Sequence, residues 1–319
     1  MKLNDVYNEW LPVKRRQVKG STLSCYQLIY LNMLAPRFGN TDVENMGKKV
    51  VTAFIYELLD SGTKSKKYCS DILIVIKMLI RFAGDELNID VPDTTWKVIW
   101  PTNNKVVTPK LERYTPEEYR KIVSYVMDNP SPRNLGILLT ICTGMRIGEV
   151  CALQWHDVDL VGKVIHVNKT IERIYLPENI GTDKKKTVVE IGSPKTNSSD
   201  RYIPILKDIF PIVKKFSTVC NPEYYVCSCS EGFVEPRTFR AYYRTFILEK
   251  VKLDHCIKFH GLRHTFASTL IENKVDVKTV STILGHSNIS TTLNVYTHPS
   301  DEAKKEAVNG LKKMFRNNS

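Results

Sequence analysis

Residues 143–150 read Thr-Gly-Met-Arg-Ile-Gly-Glu-Val, and they close an uncharged run, Leu135–Cys142. That run predicts a helix, and Gly144 predicts its stop, because glycine takes the left-handed backbone that ends helices. Ile147, Val150, Cys151 and Leu153 predict a second, shorter helix. Arg146 is left at the junction, with Glu149 three residues on. A cation so placed is either a surface ion pair or a positioned anion-binding group.

Working towards the N-terminus, Thr115-Pro116-Glu117-Glu118 reads as a capping box: Thr as cap, Pro at the first helical position, Glu three after the cap. A domain therefore begins near residue 111. Between Val91 and Lys110 periodicity fails, with Pro92, Pro101, Pro109 and Asn103-Asn104, which predicts a linker at 101–110. Before it, 3.6-residue stripes predict four short helices in a bundle over 1–100. Their apolar faces are Leu3, Val6, Trp10; then Leu23, Tyr26, Tyr30, Met33, Leu34 after Ser21 and Thr22 as caps; then Met46, Val50, Phe54, Leu58; then Tyr68, Ile72, Val75, Ile76, Leu79, Ala83.

Towards the C-terminus, Val164–Ile171, Val188–Ile191 and Tyr202–Ile205 predict three strands, with a lysine-rich excursion at Lys184–Lys186. Helices resume after Glu235. The expected fold class is mainly α with a small antiparallel sheet, an N-terminal bundle joined to a second domain over 111–319.

Composition narrows the function. Lys plus Arg is 46 against 34 acidic residues, a net charge of +12. Residues 1–110 hold 16 basic and 11 acidic side chains and the remainder 30 and 23, so both halves face a polyanion. No stretch of ~18 predominantly apolar residues offers a membrane span. The start, MKLNDVYNEW, is too polar for a signal peptide, so a cytoplasmic address is expected. The eight cysteines then read as reduced thiols. No P-loop or dinucleotide fingerprint occurs, and His260 with His264 lacks the Glu of a zinc helix. Cys220, Cys227 and Cys229 lack a matching second half. Neither cofactor nor metal is expected.

What remains is cationic. His260 and Arg263 in HGLRH stand at i, i+3 on one helical face. His286 follows Gly285, a second stop, and Tyr296 stands ten residues beyond. Two Arg, two His and a Tyr without metal fit phosphoryl transfer to tyrosine. Negative charge spreads over the equatorial oxygens of the transferring phosphoryl group, and Arg offers a planar fork for two of them. Arg237, Arg240 and Arg244, at helical spacing, form a candidate DNA-contact face.

TGMRIGEV, SPKTNSSDRYIPI, HGLRHTFAS, LGHSNISTT and VYTH, in this order over residues 143–298, resemble the tyrosine recombinase (phage integrase) family. The resemblance implies Tyr296 as nucleophile, with Arg146, His260 and Arg263 on the scissile phosphate and His286 assisting by hydrogen bonding. It implies Lys195 as the acid that protonates the leaving 5′ oxygen, and Glu149 as a positioning partner of Arg146. Tyr202, Tyr242 and Tyr243 are the other tyrosines to weigh. Residues 1–100 would be the core-site-binding domain, and the chain as it begins leaves no place for an arm-binding domain. Duplex DNA is the implied partner. The stripe Ala303, Ala307, Leu311, Phe315 suggests exchange of a terminal helix in a synaptic tetramer.

Within the family, Pro194-Lys195-Thr196 and the insertion over Ile180–Val188 look more like integrases of phages and conjugative transposons, with an excisionase or host DNA-bending factor as further partner. Three alternatives stay open: a chromosome-dimer-resolving recombinase, a type IB-like topoisomerase, and a non-catalytic DNA-binding protein.

Overall fold

The structure is a computed structural model that describes residues 1–101, 113–179, 182–193 and 197–295. It is mainly helical, with small sheets, and divides into two compact units. One comprises Met1–Val107 with Arg173–Glu190; the other comprises Thr108–Glu172 with Ile191–Ser319.

In the first unit, α1 (Leu3–Gln17), α2 (Gly20–Ile29), α3 (Ala35–Phe38), α4 (Lys48–Asp60) and α5 (Lys66–Asp85) surround an apolar core. The stripe read for α5 is the buried one: Ile72, Val75, Ile76, Leu79 and Ala83 are all fully enclosed. Two expectations need correction. Helix α2 starts at Gly20 without a side-chain cap, so Ser21 and Thr22 lie inside its first turn. Helix α4 turns Val51, Phe54 and Ile55 inward and leaves Val50 exposed, because its stripe runs one residue later. A π-helical turn at Tyr30–Leu34 joins α2 to α3, and Tyr30 stacks on Tyr7 at 3.5 Å.

The segment after α5 is extended yet held. Lys77 Nζ donates to the Thr94 carbonyl (2.8 Å), Arg81 Nε to Thr94 Oγ1 (2.7 Å), and Tyr56 Oη to the Ile99 carbonyl (2.8 Å). Trp96 and Trp100 pack on the core.

In the second unit the capping box forms: Thr115 Oγ1 accepts from the Glu118 N–H, and Glu118 accepts from the Thr115 N–H. It starts α6 (Pro116–Asp128). Helix α7 (Pro132–Thr143) is buried along almost its whole length, which explains its uncharged text. Gly136 lets it approach its neighbours, since a Cβ there would meet Cys227 Sγ at 2.5 Å. Helix α8 (Ile147–Ala152) follows.

Among the described residues the expected three strands are five, in two sheets. Strands β1 (Val158–Asp159), β2 (Val164–Val167) and β5 (Arg201–Pro204) form an antiparallel sheet in the order β1-β2-β5, with Ile165 opposite Ile203. Strands β3 (Thr170–Tyr175) and β4 (Thr187–Gly192) form the other. Asn168-Lys169 breaks what reads as one strand into β2 and β3. Helix α9 (Phe210–Val219) is one that the sequence pattern does not announce. Helices α10 (Pro236–Thr245), α11 (Phe259–Glu272), α12 (Val277–Leu284) and α13 (Ser290–Val295) complete the described chain.

The all-thiol expectation is corrected as well. The chain doubles back at Tyr225, whose N–H donates to the Ser230 carbonyl (3.0 Å), and Cys220 is disulfide-bonded to Cys229. Cys227 is buried apart from them and donates to the Val150 carbonyl (3.3 Å). No described helix is long and apolar enough to cross a membrane.

Candidate active site

Two left-handed glycines organise the site. Gly144 (φ 66°) ends α7 and Gly285 (φ 68°) ends α12. A Cβ at Gly144 would lie 2.6 Å from Cδ1 of Phe266, and one at Gly285 would lie 2.8 Å from the Ser198 carbonyl oxygen. Conformation and space both demand glycine.

Two residues past the first stop, Arg146 caps α8. Its N–H donates to Glu149 Oε2 (2.8 Å) and its Nη1 to Glu149 Oε1 (2.7 Å). Its Nη2 lies 3.4 Å from the Gly285 carbonyl, at the other stop. One residue past that stop, His286 Nδ1 sits 2.7 Å from Thr292 Oγ1 on α13.

Arg263 joins the two stops from below. It is 2% exposed, and it donates from Nη1 to the Gly144 carbonyl (2.8 Å) and from Nη2 to the Leu284 carbonyl (2.7 Å). One turn earlier on α11, His260 faces outward, its ring edge-on to His264 at 4.7 Å.

The electrostatics report the same convergence. His260 is exposed as a residue, but the atoms crowding its ring disfavour the charged form, and His264, Arg263 and Arg146 add repulsion; its pKa is pushed down to about 4. Partial burial, then Arg263, Arg146 and His260, push His286 down to about 4 too. Burial alone would raise the Glu149 carboxyl, but Arg201 and Arg146 outweigh it and hold it below the usual range. Two guanidinium groups, those of Arg146 and Arg201, thus share one carboxylate, and Arg263 adds a further positive charge beside two imidazoles whose charged forms are disfavoured. An oxyanion is the complementary ligand.

Sequence reasoning assigns no role to Arg201. The structure buries it, with Nη1 and Nη2 on Glu149 Oε1 (3.2 Å) and Oε2 (2.9 Å). Its Nη1 also donates to the Ser199 carbonyl (3.0 Å) and its Nε to the Ile283 carbonyl (2.6 Å). The available signal is alternation: position 201 shares the inward face of β5 with Ile203.

Of the expected site residues, Arg146, Glu149, His260, Arg263 and His286 come together. Lys195 and Tyr296 lie outside the described residues, as does the stripe Ala303, Ala307, Leu311, Phe315. Among the other tyrosines, Tyr243 is buried, its hydroxyl 2.9 Å from that of Tyr114, and burial raises its pKa. Tyr242 donates to Asn134 Oδ1 (2.6 Å), while Tyr202 is exposed and stacks on His166. Arg237, Arg240 and Arg244 are exposed on α10 and line a groove of about 1380 Å³ that reaches Met145 and His260.

Known proteins match this chain along most of its length. Residues 112–303 match the model of the phage integrase family, and residues 2–59 match the phage integrase N-terminal SAM-like domain. A XerC-like tyrosine recombinase of Caldanaerobacter subterraneus is 29% identical, over 98% of this chain and 83% of its own. The integrase of Staphylococcus phage L54a is 27% identical, over 96% and 91%. The fold resembles that of the Tn1549 transposon integrase, solved with a circular intermediate DNA, with a TM-score of 0.73 at 18% identity over 98% of this chain and 99% of that one.

Proposed function

Because the chain belongs to the phage integrase family and is a tyrosine-type site-specific DNA recombinase, we propose that Arg146, Arg263 and His260 hold the scissile phosphate while Tyr296 attacks it. The phenol gives up its proton to solvent as the bond from its oxygen to phosphorus forms and the bond to the 5′ oxygen breaks, leaving a 3′-phosphotyrosyl link. Lys195 gives its proton to the departing 5′ oxygen, a poor leaving group without one. His286 hydrogen-bonds within the phosphate pocket, and Glu149 orients Arg146. Attack by a 5′ hydroxyl on the phosphotyrosine reverses the step and rejoins DNA. The bond energy is retained in the covalent link, so the reaction needs no ATP.

The observation that carries this reading is the meeting of Arg146, Arg263 and His286 at two glycine stops, with His260 close enough to feel their charge. We assign residues 1–100 to core-site DNA binding, 101–110 to the linker and 111–319 to chemistry, with Arg237, Arg240 and Arg244 as DNA contacts. The substrate is duplex DNA of a mobile element in the cytoplasm, integrated or excised by a synaptic tetramer. The stripe from Ala303 to Phe315 docks between its subunits, and an excisionase or host DNA-bending factor sets direction. The Pro-Lys-Thr text at 194–196 supports this over a chromosome-dimer-resolving role.

The test is Tyr296→Phe, which removes one oxygen. On a nicked suicide duplex in EDTA, the variant should bind DNA like the wild type and form no covalent adduct. Trapping of an adduct by the variant would move the nucleophile elsewhere, with Tyr202 and Tyr242 next to examine.

A further inference from the structure

We propose that Arg201 is a positioning residue of the phosphate pocket: it occupies Glu149 so that Arg146 stays available to phosphate, and it ties that pair to the chain just ahead of His286. The proposal rests on Arg146 being a phosphate ligand.

Glu149 is 4% exposed, so its carboxylate must be paired where it lies. Both its oxygens accept from Arg201 and both accept from Arg146. Among the described residues these are its two ion-pair partners. Take Arg201 away, and Arg146 alone must neutralise a buried carboxylate. An incoming phosphate would then compete with a desolvated ion pair, which is costly to break. With Arg201 in place, one negative charge is shared by two guanidinium groups, and the group nearer solvent keeps its appetite for an anion. The side-chain exposures fit this division: 37% for Arg146 and 5% for Arg201.

The second half of the role is geometric. Arg201 Nε holds the Ile283 carbonyl, two residues before Gly285 and three before His286. Its Cδ lies 3.0 Å from where a Cβ on Gly285 would be, so the stop is shaped around this side chain. A single side chain at the start of β5 thereby fixes both the acid behind Arg146 and the approach to His286. Lysine cannot replace it, because an ammonium lacks the fork that spans carboxylate and carbonyl.

The experiment uses the full chain on a nicked suicide duplex. It compares Arg201→Met, Arg201→Lys, Glu149→Gln, the double variant Arg201→Met/Glu149→Gln, and Arg146→Ala. The readouts are the single-turnover rate of adduct formation at saturating protein, Kd for the duplex, and Tm. Arg201→Met should slow the adduct by about 100-fold, the scale of a misplaced reacting group, with Kd within about twofold. Arg201→Lys should not restore it. Adding Glu149→Gln to Arg201→Met should recover about tenfold, the non-additivity expected of coupled charges, because Arg146 is then no longer claimed by a carboxylate.

Wild-type rates for folded Arg201→Met overturn the proposal. So does a folded double variant with no recovery, which would leave Arg201 a structural brace. Should Arg201→Met not fold, the comparison moves to the Glu149→Gln background. There, an Arg201→Met loss as large as that of Arg146→Ala overturns the proposal, and a smaller loss upholds it. If Arg146→Ala itself keeps the wild-type rate, the underlying phosphate reading fails. If Arg146→Ala is inactive while Arg201→Met is fully active, the present proposal alone fails.

Discussion

Among the described residues of the first unit the buried polar side chains are Ser24, Gln27 and Thr94, none of them charged, whereas the second unit buries Glu149, Asp157, Arg201 and Arg263. Apolar burial is non-directional and rewards any close fit. A buried guanidinium gains nothing unless its donors meet their acceptors, so it fixes positions at the expense of desolvation. The bundle spends its interior on stability. The second unit gives up part of its interior to hold chemical groups in register.

Between the two units' interiors, the largest effect should come from Arg263→Ala. It removes the tie between the two stops together with a proposed phosphate donor. Adduct formation on a suicide duplex should fall by about 10²–10³-fold, the loss seen when one oxyanion donor goes. A variant with a lowered Tm but a wild-type rate per folded molecule would make the second unit like the first. The counterpart is Ile76→Ala, fully enclosed on α5. It should cost about 2–5 kcal/mol of stability in urea unfolding and leave the adduct rate of the folded fraction unchanged. A folded Ile76→Ala protein as slow as Arg263→Ala would erase the distinction.

The smallest effect is pH-dependent and confined to the second unit. His260 and His286 fall from an ordinary 6.5 to about 4 on folding. Between those values the unfolded chain binds more protons than the folded one, so stability is complete above about pH 6.5 and declines as pH drops towards 4. Urea midpoints measured from pH 7.5 to 4.5 should show this decline, and His286→Gln should flatten it. An unchanged slope in the variant would place the titrating groups elsewhere.

How much of this could be read beforehand follows from the range of the interactions. The α5 stripe, the Thr115–Glu118 capping box and the stops at Gly144 and Gly285 rest on residues a few positions apart, and period or turn chemistry reveals them. The shift from Val50 to Val51 on α4 is one position of helical phase, which neighbouring helices decide. Asn168-Lys169 is a weak break in β-branched text, so β2 and β3 read as one strand. Helix α9 opens with Phe210-Pro211 and carries Val213 and Val219, poor helix formers that packing overrides. Cys220 and Cys229 meet only because the chain reverses at Tyr225. Arg201 reaches Glu149 across 52 positions and Ile283 across 82. No local pattern announces such a pairing, although alternation along β5 places the side chain inward. The family motifs bring in Lys195, on which local chemistry alone is silent, and give Tyr296 its role as nucleophile.

The Arg263 tie under Gly144 and Gly285 also sets which lengths of chain a descendant sequence can change. One residue inserted in α7 ahead of Gly144 would swing Arg146 by about 100° and advance it by ~1.5 Å, out of reach of its carboxylate, while Arg263 kept hold of a carbonyl that had moved. The same holds for α12 and His286. The connection Asn273–Asp276 between α11 and α12 has no such duty. Insertions and deletions among distant relatives should therefore gather in connections of that kind and spare the two helices that end on glycine.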